Sequence, residues 1–99
     1  MNTAEVPVRL THTWKRQGDT VVLFSDAHFN LVRLEFNQIG WRVWELVDGK
    51  RTVEEIVDQI HSVHPRAHRP DIEASVVAFL EELRGEWLVM TTGDLAAYE

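Results

Sequence analysis

No cysteine occurs in the 99 residues. That one absence excludes disulfides, thiolate metal sites, iron–sulfur ligation and thiol nucleophiles together. No apolar run approaches the ~20 residues needed to cross a bilayer, so no membrane partner is expected. The start of the chain, Met1-Asn2-Thr3-Ala4-Glu5-Val6-Pro7, lacks a basic segment followed by an apolar one and does not read as a signal peptide. A cytoplasmic location is the expectation. Basic residues are scarce: 10 Lys and Arg stand against 16 Asp and Glu, a formal net charge of −6. A phosphate-binding face needs the opposite balance, which argues against nucleic acid. There is no Gly-rich phosphate loop, and no Ser-His-Asp arrangement stands out.

What is present is the composition of one globular domain, with 44% hydrophobic and 26% charged residues. Its organising stretch runs from Asn37 to Gly49. Ile39, Val43, Leu46 and Val47 recur at three- and four-residue intervals, one face of a helix. Trp44 lies beside that stripe, Asn37 can cap the first turn, and Gly49 supplies the positive φ that stops the helix. Before this helix the pattern has period two, and after it the pattern is helical almost to the end.

Residues Met1 to Pro7 read as a flexible lead-in, because Pro7 cannot donate a ladder bond. From Val8 to Arg16 apolar and polar residues alternate, predicting a strand broken near its start. Gln17-Gly18-Asp19 is a turn, Thr20 to Ser25 a central strand, Asp26-Ala27-His28 another turn, and Phe29 to Phe36 a third strand. Thr52-Val53-Glu54-Glu55 has the form of a capping box. It opens a second helix that buries Val53, Ile56, Val57 and Ile60. His61 to Arg69 reads as a polar loop. Pro70 suits the first turn of a third helix with Asp71 and Glu73 near its positive end. That helix carries the stripe Ile72, Val76, Phe79, Leu80 and Leu83, and Gly85 ends it. Trp87 to Met90 reads as extended and Thr91 to Glu99 as a C-terminal tail. The expected fold is α+β, a three-stranded antiparallel meander followed by a three-helix bundle. The folded unit is expected over residues 8–90, between the lead-in and the tail.

These residues resemble a family. Leu34-Glu35-Phe36-Asn37, Trp44-Glu45-Leu46-Val47-Asp48-Gly49, Arg51 to Val57, and Val76 to Leu83 followed by Leu88-Val89 are similar to the core signature of PqqD-like proteins. The resemblance covers Val8 to Met90. It implies a winged helix-turn-helix-like fold that works as a peptide chaperone, or RiPP recognition element. Such a protein holds the leader of a ribosomally made precursor peptide for a modifying enzyme, often a radical SAM or cyclising enzyme. The leader is implied to add as a strand beside the third strand, in the groove against the third helix. Two positions depart from the family pattern: Trp41 brings bulk where a small residue is common, and Trp87 stands where Gly often precedes the closing Leu-Val.

Phe29 to Leu34 of the third strand, with no proline and a single charge, is an inviting edge. Phe29, Leu31, Val32 and Arg33 are the candidate edge residues. Val77, Glu81 and Arg84, off the core stripe and sharing one side of the third helix, are the candidate facing residues. Leu31 and Val77 read equally well as core, and Glu81 and Arg84 as a solvated helical pair. An open edge also allows a homodimer. His61-x-x-His64-x-x-x-His68 is the one metal-like cluster, but it spans a loop with no cysteine to help, so no metal or other cofactor is expected. Adjacent acids such as Glu81 and Glu82 read as a solvated face rather than a catalytic pair, and no catalytic residue is assigned. Trp41, at the helix margin, reads as packing or as a contact with a second protein. The competing functions are a winged-helix transcriptional regulator and a scaffold subunit of an enzyme complex.

Overall fold

The computed structural model describes residues 1–11, 13–25 and 29–97. The elements are β1 (Pro7–Arg9), β2 (Trp14–Gln17), β3 (Thr20–Ser25), β4 (Asn30–Glu35), α1 (Gln38–Leu46), α2 (Val53–Val63), α3 (Arg69–Gly85), β5 (Val89–Thr91) and α4 (Thr92–Ala96). Strands β2, β3 and β4 form an antiparallel sheet in that order, and β1 pairs with β5 in a second, two-stranded sheet. The architecture is thus α+β, an antiparallel meander followed by helices, as the patterning predicts.

In β3 the alternation is literal: Val21, Leu23 and Ser25 are buried while Thr20, Val22 and Phe24 are half-exposed. Helices cover the buried face. Asn37 caps α1 by accepting from the Gly40 N–H at 2.7 Å. Thr52 and Glu55 form the expected capping box on α2. The four apolar residues expected to face inward from α2 are all at most 1% exposed.

Four local expectations change. The predicted strand from Val8 to Arg16 is two strands in two sheets. Buried Thr11 turns the chain there: its Oγ1 donates to the Thr13 carbonyl and accepts the Thr13 N–H. Alternation persists through such a bend and so conceals it; His12, part of that alternation, lies outside the described residues, as does the Asp26-Ala27-His28 turn. Helix α1 ends at Leu46, with Val47 as its extended C-cap. Gly49 does have φ +78° but turns the loop beyond the helix rather than stopping it. The buried face of α1 is Gly40, Trp41, Val43 and Trp44, while Ile39 is exposed. Burying two indoles removes more apolar area than burying Ile39, and the helix is rotated accordingly. Finally, α2 continues to Val63, so His61 is helical and the connecting loop is shorter than expected.

The two ends of the chain are tied in. The carbonyls of Thr3 and Glu5 accept the Glu54 and Val53 N–H groups at the start of α2, and the Val6 carbonyl accepts from Thr92. Thr91 and Asp94 make a reciprocal cap on α4. No helix among the described residues is long and apolar enough to cross a membrane.

Candidate functional site

Strand β4 has β3 on one side and no strand on the other among the described residues. Which of its backbone groups face outward follows from the register. Phe36 donates to the Asp19 carbonyl at 2.8 Å, continuing the β3–β4 pairing in which Leu34 faces Val21 and Val32 faces Leu23. Bonded and non-bonded pairs alternate in an antiparallel ladder. Leu34, Val32 and Asn30 therefore bond to β3, while the N–H and C=O groups of Leu31, Arg33 and Glu35 point away from it. The Asn30 side chain supports this, since its Oδ1 takes the Leu31 N–H at 2.9 Å. Five outward groups have no partner among the described residues: the carbonyls of Leu31, Arg33 and Glu35 and the N–H groups of Arg33 and Glu35.

Side chains alternate with the backbone. Leu31 is 64% exposed and Arg33 is also exposed, both on the face away from the helices; Val32 and Leu34 are half-buried against the core. Phe29, just before the strand, has a left-handed backbone with φ +50° and an 84% exposed ring. Left-handed backbone costs a non-glycine residue roughly 1–2 kcal/mol, and here it holds an aromatic ring in solvent at one end of the open edge.

At the other end of β4 the chain meets α3. The Phe36 and Phe79 rings lie edge to face with centroids 4.9 Å apart. Helix α1 approaches closely at Gly40, where a Cβ would stand 3.2 Å from the Phe79 ring. Asn37, Ile39, Gly40, Val43, Ser75 and Phe79 line a hollow of about 120 Å³ there. The side of α3 turned to the end of β4 is thus the one bearing Ser75 and Phe79.

The sequence-derived facing residues sit on the opposite flank of α3. Glu81 pairs with the Met1 ammonium, and Arg84 pairs with Asp94 at 2.7 Å and reaches Glu81 at 3.6 Å. Val77, on that same flank, is half-buried against the core. The hydrogen bond from the Met1 ammonium, and after it Arg84, hold the Glu81 carboxyl below the usual carboxylate range. The Thr91 N–H, and more weakly Arg84, do the same for Asp94. These polar groups are occupied with the chain's own ends. Four- and three-residue spacing identifies a shared side of a helix but not which neighbour that side meets. Phe79 was legible only as core; its aromatic bulk at the margin of the stripe was the one available signal.

The histidines do not converge. His61 is on α2, His64 caps its C-terminus, and His68 precedes α3 with Asp71 at 3.6 Å. No group of three or more metal-ligating side chains gathers among the described residues. Trp41 is core, 7% exposed, with its ring edge-to-face on Phe36 at 5.1 Å. Trp87, where a glycine would be at ease, has φ +59°.

The family model for coenzyme PQQ synthesis protein D (PqqD) matches residues 21–89. The chain belongs to the PqqD family. The matched span begins in β3 and ends in β5, so it contains β4, all of α1 to α3 and the hollow at Phe79. A solved structure described as TbiB1 in complex with the TbiA(beta) leader peptide is similar to the chain. It has a TM-score of 0.61 and 26% identity, over 90% of this chain and 94% of that one. No curated protein matches the chain.

Proposed function

We propose that this PqqD-family protein is a non-catalytic peptide-binding partner. In this reading it takes the leader of a ribosomally made precursor as an added strand on β4 and presents it to a modifying enzyme. The observation that carries the reading is the row of five backbone groups from Leu31 to Glu35 that are unpaired among the described residues, on a fold similar to one solved with a leader peptide. Strand addition uses such a row for affinity and takes sequence preference from side-chain pockets. Alternate residues of the added strand would lie beside Phe29, Leu31 and Arg33 on the outer face. The others would turn inward towards Val32, Leu34 and the Ser75–Phe79 side of α3. In this reading Glu81 and Arg84 serve α3's contacts with Met1 and Asp94, and Val77 packs against the core.

Five bonds at roughly 0.5–1.5 kcal/mol each are largely offset by about 2–5 kcal/mol of peptide ordering. Selective binding therefore rests on one or two apolar leader side chains, at about 1.5–3 kcal/mol apiece when fully buried. The regulator reading is disfavoured by α3 itself, whose charged residues are four acids and two arginines, both arginines being ion-paired.

Amide hydrogen exchange with and without a precursor's leader peptide tests the reading. The Arg33 and Glu35 amides, open in the free protein, should slow on binding, whereas Leu34, already bonded to β3, should change little. Protection that appears only on β2, or nowhere on the sheet, would rule out strand addition at β4.

A further inference from the structure

Arg16 is held from two sides. Its Nε donates to the Gly18 carbonyl at 3.1 Å, and its guanidinium lies 4.5 Å from the centroid of the Trp41 ring. An arginine stacked on an aromatic face and tethered at Nε keeps its two terminal amino groups aimed in one direction. Those groups meet no carboxylate among the described residues, and neither does Arg42, the neighbour of Trp41 on α1. Arg9, Arg33 and Arg66 also form no ion pair among the described residues, but in this chain of net charge −6 Arg16 and Arg42 are brought to one surface. They open on a hollow of about 390 Å³ whose wall also includes Trp41, Glu45, Val63 and His64.

We infer that this hollow binds a single carboxylate displayed by a partner polypeptide next to an apolar side chain. The fixed fork of Arg16 matches the planar geometry of a carboxylate. With histidine counted as neutral, Arg16, Arg42 and Glu45 leave one net positive charge, which suits a monoanion; Glu45 opposes a doubly charged phosphate group. The acidic field of the whole chain works against a polyanion such as nucleic acid. The 51% exposed Val63 supplies an apolar wall for the residue beside the acid. Strand β2, which carries Arg16, is the sheet edge opposite β4. The rest of the lining comes from α1 and the end of α2, and it shares no residue with β4 or with the hollow at Phe79.

The test is a nitrogen-15 NMR titration of the full chain with acetyl-Leu-Glu-Leu-amide, its Leu-Gln-Leu counterpart, and inorganic phosphate. The Trp41 indole N–H, buried and without a partner among the described residues, is the reporter. Its resonance should shift with the Glu peptide in the millimolar range. Binding should be about tenfold weaker for the Gln peptide, as loss of a charge-assisted hydrogen bond implies. Arg16→Gln and, independently, the exposed Arg42→Gln should weaken the Glu peptide similarly, with unchanged circular dichroism. Equal binding of the Glu and Gln peptides, phosphate binding as tight as the Glu peptide, or an unmoved Trp41 resonance would overturn the assignment. None of these outcomes bears on β4, whose reporters are the Arg33 and Glu35 amides.

Discussion

Replacing Arg33 by proline separates the edge from the fold. The Arg33 N–H points away from β3, so its loss removes no bond of the existing sheet. Proline is tolerated in an edge strand where the missing donor faces solvent, and Val32 before it is already extended, as proline prefers. The side chain of Arg33 is exposed. The expected fold penalty is under about 1 kcal/mol, a few degrees in Tm for a domain of this size. An incoming strand, however, loses one of five available groups and leaves its own carbonyl facing a ring instead of a donor. An acceptor left unsatisfied costs about 1–3 kcal/mol, so leader affinity should fall about 5- to 150-fold. Arg33→Ala keeps the N–H and should lose less than about fivefold, the share of a screened surface charge. Leu34→Pro, which removes a bond to β3, should unfold the domain instead. Fluorescence anisotropy with a labelled leader peptide, beside thermal melts of all three variants, measures each term. Arg33→Pro that binds within twofold of wild type while remaining folded would refute strand addition at this edge.

Other expectations follow from the core and the loops. Trp44→Ala empties a site that is 1% exposed and removes an edge-to-face contact with Trp14 at 5.4 Å; urea denaturation should register a loss of about 3–5 kcal/mol. Gly49→Ala meets no clash, the nearest atom being a Val8 methyl at 3.8 Å, but forces alanine to φ +78°; about 1 kcal/mol of destabilisation is expected from the left-handed backbone alone. Asp48 accepts the Arg51 and Lys50 N–H groups, which hold its carboxyl below the usual carboxylate range. A lowered folded-state pKa means that this stabilisation is present above the unfolded-state value and is lost as pH falls through the folded-state value. Asp48→Asn should therefore flatten the acid limb of a Tm-against-pH curve and leave its slope above neutrality unchanged.

Much of the architecture was legible because it depends on local chemistry. Thr52 and Glu55 sit at the spacing of a capping box and form one. Asn37 precedes a helix and caps it. The buried stripe of α2 follows from its periodicity. The edge was legible too, since a meander of three strands leaves its outer strands open and β4 has no proline to block pairing. The flank of α3 that turns to the end of β4 was not. Phe79 and Ser75 lie to one side of the core stripe, Val77, Glu81 and Arg84 to the other, and both flanks fit a helix equally well. Which flank meets β4 is decided by the close approach of α1 at Gly40 and by α4 and Met1 taking Arg84 and Glu81. All of those contacts are remote in sequence or depend on how one helix packs over another.

Read alone, the order of amino acids determined the class of fold, the helix caps, the acidic surface and the presence of an unpaired strand, because each rests on neighbours a few positions apart. Tertiary structure decided the rest: the split of the first strand between two sheets, the inward turn of Trp41, the outward direction of the Leu31, Arg33 and Glu35 backbone, and the flank of α3 beside the edge. Those depend on register and on the rotation of packed helices. A shift of one residue exchanges the inner and outer faces without altering any local pattern.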